Sequence, residues 1–258
     1  MNKPNSNNTC VTTTAMPRPE LLEITYNSFQ KNIPWLNFKD MTLFLNIDKF
    51  PTDIEGDMEA KIEKTIVTAN KYFGNVIVNI GYSCFPKAVK WAFSSANKDF
   101  VLNLEDDWEL LCEVPHYFQN FFENPDIMQV GLRAWKKSDP RFVLSPSILR
   151  TSFCNKVASL IHDFRNPEEQ IRGVNPYNSK LSKHFIYWPY ESEKVILKDT
   201  GREWLRNSIY GKDGCDFTKW RFLPNIITRA REQIDIDQNK EINLTKLDGF
   251  FGDNNVSY

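Results

Sequence analysis

The stretch Phe100-Val-Leu-Asn-Leu-Glu-Asp-Asp-Trp-Glu-Leu110 constrains this chain more than any other. Val101, Leu102 and Leu104 suit a buried strand. Glu105, Asp106 and Asp107 follow where that strand should run out into a loop. Three adjacent carboxylates repel one another unless a cation or a basic partner sits among them. In an open α/β sheet, ligands bind outside the carboxyl ends of the strands. Hard divalent cations such as Mg²⁺ and Mn²⁺ take oxygen ligands, often one or two carboxylates plus substrate phosphates. The stretch therefore reads as a strand end that holds a metal and a diphosphate. An acidic surface turn after an edge strand would have the same composition.

The segments before it alternate between strand and helix patterns. Cys10–Thr14 is β-rich, and Ala15–Pro19 is a loop before a helix at Glu20–Phe29, with Pro19 suited to its first turn. Met41–Ile47 reads as a second strand ending at Asp48, then a helix at Met58–Tyr72 stopped by Gly74. Asn75–Ile80 is a third strand and Phe85–Phe93 a third helix, so the acidic strand is the fourth. Strands alternating with helices predict an α/β fold with a mostly parallel, Rossmann-like sheet flanked by helices.

Beyond the carboxylates the pattern predicts a short helix at Val114–Glu123, a strand at Asp126–Leu132 and a basic, aromatic loop at Arg133–Arg141. A strand-like run at Phe142–Leu149, a helix at Ser152–Asp163 and a strand at Ser182–Trp188 follow. Asn166-Pro-Glu-Glu169 is a helix start: Asn as N-cap, Pro at N1, and two glutamates favoured by the helix dipole. Lys198–Trp204 is a turn into a helix, and Lys212 lies in a glycine-containing loop after it.

The whole chain narrows the classes. At 258 residues and 41% hydrophobic it can bury a single core of ordinary size. A net charge of −1 offers no global basic field for nucleic acid, so such binding needs a local patch. Five cysteines without CxxC spacing disfavour a zinc site and fit reduced thiols in a cytosol-like compartment. No eighteen-residue apolar run predicts a membrane span, and the polar N-terminus lacks a signal-peptide core.

Four segments in one order resemble glycosyltransferases of the GT-A fold, the nucleotide-sugar-dependent class: Thr12-Thr-Thr-Ala-Met-Pro-Arg-Pro19, Leu-Glu-Asp-Asp-Trp108, Asn-Pro-Glu-Glu169 and Asp-Thr-Gly-Arg-Glu-Trp204. The resemblance implies a single catalytic domain over residues 9–220, with a nucleotide-sugar half at 9–110 and an acceptor half at 111–220. Residues 1–8 are expected as a disordered tail and 221–258 as a helical extension and tail.

By the same resemblance Glu105-Asp106-Asp107 stands in the Asp-X-Asp position, with Glu first. Asp107 is the implied metal ligand, with Glu105 toward metal or ribose and Asp199 or His184 as a further ligand; the cation is Mn²⁺ or Mg²⁺. Thr12, Thr14, Arg18, Asp48, Glu105 and Asp106 would line the donor pocket, and Arg202 and Lys212 would neutralise the leaving diphosphate. A UDP-sugar is the implied co-substrate. Glu168 and Glu169 are the candidate general bases, with Asp163 an alternative; a retaining enzyme would not need a base there.

The acceptor is the least constrained part. The chain's small size and composition are similar to stand-alone phage enzymes that glycosylate hydroxymethylcytosine in DNA. Arg133, Trp135, Lys136 and Lys137 supply a local basic-aromatic patch for such an acceptor. A bacterial surface-glycan transferase is the competing reading. A metal-dependent nuclease or phosphatase and an inactive nucleotide-sugar-binding module are readings from other classes. The expected location is the cytoplasm, that of a bacterial host if the chain is phage-encoded.

Overall fold

A computed structural model describes residues 2–49, 57–135, 141–163, 166–172, 184–190 and 195–207. In chain order the first half runs β1 (Thr9–Ala15), α1 (Pro19–Asn32), β2 (Thr42–Lys49), α2 (Met58–Tyr72), β3 (Asn75–Tyr82), α3 (Phe85–Ser95) and β4 (Phe100–Glu105). The second half runs β5 (Trp108–Leu110), a 3-10 turn (His116–Glu123), β6 (Gln129–Trp135), β7 (Ser147–Arg150), α4 (Thr151–Leu160), α5 (Pro167–Arg172), β8 (Phe185–Tyr190), β9 (Leu197–Asp199) and α6 (Gly201–Asn207).

Seven strands form one sheet in the order β3-β2-β1-β4-β7-β6-β8. β7 is antiparallel to both its neighbours, and every other pair is parallel. This single-domain, mostly parallel sheet between helices is the architecture that the resemblance implies.

Period-two alternation puts successive side chains of each central strand on opposite faces. In β1, Val11 joins one core with α1 and α2, while Cys10 joins the other with α3 and α4. In β4, Leu102 and Leu104 face the first core and Val101 the second. Tyr26 and Phe29 of α1 and Phe153 of α4 are fully buried. Both faces of the central strands are therefore covered, as parallel strands require, and the ligand-binding edge is left at their carboxyl ends.

The chain reverses its direction of winding at β1. From β1 it moves outward through β2 to β3, then returns to place β4 on the other side of β1. The gap between the ends of β1 and β4 is thus a topological switch point, where such sheets bind ligands.

Four features differ from the sequence reading. The 116–123 segment is a 3-10 turn rather than an α-helix. The ladder expected from Phe142 begins only at Ser147, because Pro146 has no N–H to give it. Trp108–Leu110 and Leu197–Asp199 form a separate antiparallel ribbon, with Trp108 opposite Asp199. Residues 2–8, expected as a disordered tail, form an Asn-rich turn: Asn5 accepts from the Asn7 and Asn8 amides, and Lys3 pairs with Glu123 at 2.6 Å.

Candidate active site

The loop after β4 is held from below by α1. Thr25 Oγ1 donates to the Asp106 carbonyl at 2.9 Å, the Leu110 N–H donates to Ser28 Oγ at 3.0 Å, and Asn32 Nδ2 donates to the Leu110 carbonyl at 2.7 Å. Three polar residues on successive turns of α1 thus satisfy backbone that leaves the sheet.

The three carboxylates separate into two kinds. Asp106 turns inward, where Arg18 Nε and Nη2 donate to its two oxygens at 2.9 and 2.6 Å and the Met16 N–H donates at 3.1 Å. Burial opposes the charge on Arg18, but Asp106 and Asp107 outweigh it and raise its pKa. Burial raises the Asp106 carboxyl as well, against the pull of Arg18. We take the pair as ionised at neutral pH, because three donors point at the carboxylate. Arg18 Nη2 also donates to Asp107 Oδ2 at 3.1 Å. All three carboxylates border a cleft of about 330 Å³, with Asp106 buried and Glu105 and Asp107 half-buried.

That cleft crosses the strand ends. Asp48, at the end of β2, and Thr14 and Arg18, at and after the end of β1, line one part. Leu144, Ser145, Asn166, Glu168 and Arg133 line the part beyond β4. Asp199, Gly201 and Arg202 close over it from the ribbon and α6.

Asp48 is 7% exposed and is fixed by two donors, Asn46 Nδ2 to Oδ1 at 2.8 Å and the Cys84 N–H to Oδ2 at 3.1 Å. Burial, opposed by these bonds, raises its pKa to about 6. Glu168 Oε1 accepts from the Leu144 N–H at 2.6 Å, and the Glu168 N–H donates to Asn166 Oδ1 at 2.9 Å. Glu169, one helix position on, is exposed and is not among the cleft-lining residues.

The ribbon brings Asp199 and Arg202 to Asp107. The Thr200 N–H and Oγ1 both donate to the Asp107 carbonyl at 2.9 Å. Gly201 packs so closely on the Asp107 carboxylate that a Cβ would overlap Oδ2. The Arg18 guanidinium lies 5.2 Å from the Trp204 ring centroid, and Trp204 Nε1 donates to Glu20 at 3.1 Å. The segment is thereby fastened to α1 and to the acidic loop together.

Several expected residues lie elsewhere. Thr12 is fully buried three residues before the end of β1, where its Oγ1 donates to Asn103 Oδ1 at 3.0 Å, and it does not line the cleft. His184 precedes β8 at the opposite edge of the sheet, its Nδ1 2.7 Å from the Asp126 carbonyl. Asp163 lies near Lys87 and Lys90, at 3.8 and 3.9 Å, and does not line the cleft. Trp135 ends β6 opposite Tyr190. Lys136, Lys137 and Lys212 lie outside the described residues.

Among the described residues no three His, Cys, Asp or Glu side chains converge closely enough to hold a metal ion. Glu105 Oε2 accepts from Trp108 Nε1 at 2.9 Å, and Asp199 pairs with Arg202 at 2.9 Å. Glu105, Asp107 and Asp199 are therefore not an all-protein cage. They fit a cation of the Mg²⁺ or Mn²⁺ kind that takes one or two carboxylates and completes its shell with phosphate and water.

Sequence reasoning missed Ser83, Phe85, Leu144, Ser145 and Asn166 as cleft-lining residues. Asn166 was legible only as a cap, and Leu144-Ser-Pro146 carries no motif; strand order alone brings them to the cleft.

No family model and no curated protein matches the chain. Solved structures of similar fold include the mannosyltransferase PcManGT from Pyrobaculum calidifontis in complex with GDP-Man and Mn²⁺, at 10% identity and TM-score 0.49 over 73% of this chain and 58% of that one. S. aureus TarS 1-349 in complex with UDP-GlcNAc is similar at 14% identity and TM-score 0.49, over 89% and 66%. A cytidylyltransferase from Leptospira borgpetersenii is similar at 14% identity and TM-score 0.44, over 92% and 97%. The chain spans under three fifths of the mannosyltransferase it matches. The fold rests on the strand order described above, and the functional reading rests on the cleft.

Proposed function

We propose that this protein is a metal-dependent glycosyltransferase that moves a sugar from a nucleoside diphosphate to a hydroxyl acceptor. The observation that carries this reading is one cleft at the β1/β4 switch point that holds Asp48 at the end of β2, Asp107 just after β4 and Glu168 on α5. Asp48 is a fixed hydrogen-bond acceptor suited to the donors of a nucleoside. Asp107, with Glu105 or Asp199, would hold the cation, which supplies positive charge against the diphosphate as it leaves. Arg133 and Arg202, also at the cleft, add charge of the same sign.

Glu168 is the base in this scheme. It takes the proton from the acceptor hydroxyl as that oxygen bonds to the sugar's anomeric carbon and the bond to the diphosphate breaks. The electron pair of the broken bond stays on the diphosphate. Direct displacement of this kind inverts the anomeric carbon. The Leu144 N–H keeps Glu168 turned to this wall of the cleft.

For the acceptor we favour the hydroxyl of hydroxymethylcytosine in DNA over a bacterial surface glycan. Arg133 lines the cleft near the end of β6, and in sequence it opens the basic-aromatic run through Trp135, Lys136 and Lys137. The test is a transfer assay with UDP- and GDP-sugars, Mn²⁺, hydroxymethylcytosine-containing duplex, unmodified duplex and lipid-linked glycan acceptors. Label on the modified duplex alone supports DNA. Label on glycan alone decides for the surface-glycan reading, and free phosphate or cut DNA without sugar transfer decides for a phosphatase or nuclease.

A further inference from the structure

The loop after β4 and the strap that runs from β9 into α6 meet at Asp107 and Gly201. Trp108 pairs with Asp199 across the ribbon, and Thr200 holds the Asp107 carbonyl through both its N–H and its hydroxyl. Asp199 Oδ1 accepts from the Arg202 N–H at 3.0 Å, which fixes the first turn of α6. Trp204 ties that turn to Arg18 and Glu20. The backbone of Gly201 is therefore held firmly against Asp107.

Gly201 opens α6, and its φ lies outside the left-handed region, so an L side chain would meet no backbone strain there. Helix propensity ranks alanine above glycine. What alanine lacks here is room. A Cβ at 201 would overlap Asp107 Oδ2 and stand 2.7 Å from its Cγ, and the three atoms nearest to it all belong to the Asp107 side chain. Asp107 Oδ2 also accepts from Arg18 Nη2 at 3.1 Å. The carboxylate is thus seated at the cleft wall between a guanidinium and the bare Cα of Gly201.

Filling that seat moves the carboxylate. The strap is tied at each of the points above, whereas the carboxylate turns about its own side-chain bonds. The main chain need give only slightly, since the new Cβ would approach Asp107 Cβ to 2.9 Å. Resting on the transferase reading above, we propose that Gly201 is a positioning residue: its missing side chain seats the Asp107 carboxylate where it can take the divalent cation. It acts on the metal through Asp107.

The test measures Mn²⁺ affinity by calorimetric titration at saturating UDP or GDP, whichever the wild type binds, and nucleotide affinity without metal. Gly201→Ala should weaken Mn²⁺ binding about 10–100-fold, the usual cost of disturbing a residue that orients a metal ligand. Its metal-free nucleotide affinity should stay the same, and the free variant should still unfold cooperatively. Glu203→Gly is the control. It weakens α6 at an exposed position and puts nothing beside Asp107, so it should keep the wild-type Mn²⁺ affinity. Unchanged Mn²⁺ affinity in Gly201→Ala, an equal loss of metal-free nucleotide binding, loss of cooperative unfolding, or an equal Mn²⁺ loss in Glu203→Gly would each overturn the role of Gly201. A wild type that binds no nucleotide, or binds it equally with and without Mn²⁺, would instead overturn the transferase reading itself.

Discussion

Arg18 grips both carboxylate oxygens of Asp106, Nε to Oδ2 at 2.9 Å and Nη2 to Oδ1 at 2.6 Å, with both side chains about 5% exposed or less. The pair decides what the acidic run is for. The middle carboxylate is a strut between the β1 loop and the β4 loop, buried at the floor of the cleft that all three carboxylates border. One guanidinium eases the crowding of the three by gripping Asp106 with two bonds and reaching Asp107 Oδ2 with a third at 3.1 Å.

Leaving a buried charge wholly unpaired costs about 3–5 kcal/mol, and Asp106→Ala leaves Arg18 only its bond to Asp107 at 3.1 Å. Asp106→Ala should therefore lower the unfolding free energy in urea denaturation by a large part of that amount, about 2–4 kcal/mol. A loss below about 1 kcal/mol would show that Asp106 is not a structural member of the run.

Asp48 carries the pH dependence. Its folded pKa of about 6 lies above its ordinary value of 3.8, so the folded protein holds this proton more tightly than the unfolded chain. Ionising it therefore works against folding: the penalty appears as pH rises from about 4 to 6 and is complete above. Nucleoside binding needs the ionised acceptor, so nucleotide affinity should fall as pH drops through 6. Asp48→Asn should flatten that profile and raise stability at pH 8. A nucleotide affinity that is level from pH 8 to 5 in the wild type would remove Asp48 from the donor site.

Glu168 and Glu169 make a controlled comparison, because one lines the cleft and the other is exposed. Glu168→Gln should slow turnover by about 10²–10⁴, as general-base removal does, with donor affinity kept. Glu169→Gln should turn over as the wild type does. Steady-state rates at saturating donor separate the two, and the reverse ranking would move the base to Glu169.

Much of the first half was legible in the sequence. Met58–Tyr72 carried a clear helical period, and the structure forms that helix over the same residues. The strands up to β4 were marked by Gly74 and their own apolar runs, although β3 extends two residues past Ile80, to Tyr82. What escaped depends on partners distant in the chain. Trp108–Leu110 is too short to show a period, and its ribbon partner lies about ninety residues later. The three carboxylates look alike in sequence, and only Arg18, 88 residues away, makes Asp106 the buried one. Thr12 and Thr14 share a face of β1, but Thr14 alone reaches the cleft because it stands one pleat nearer the strand end. Glu168 was separated from Glu169 by the Leu144 amide, whose position follows from Pro146 and the bracing by Gln129 and Asn103.

The central claim is that the Asp107 end of this cleft binds a nucleoside diphosphate together with a divalent cation. Thermal unfolding with UDP and GDP, with and without Mn²⁺, tests it directly in the wild type and in Asp107→Ala. At 100 times the dissociation constant, a ligand of the folded state adds about 2.7 kcal/mol of stability. The account predicts a rise in melting temperature with nucleotide and Mn²⁺ together that exceeds the sum of their separate effects and disappears in Asp107→Ala, whose free form melts close to the wild type. A nucleotide-induced shift of equal size without Mn²⁺, or one that survives in Asp107→Ala, would contradict it.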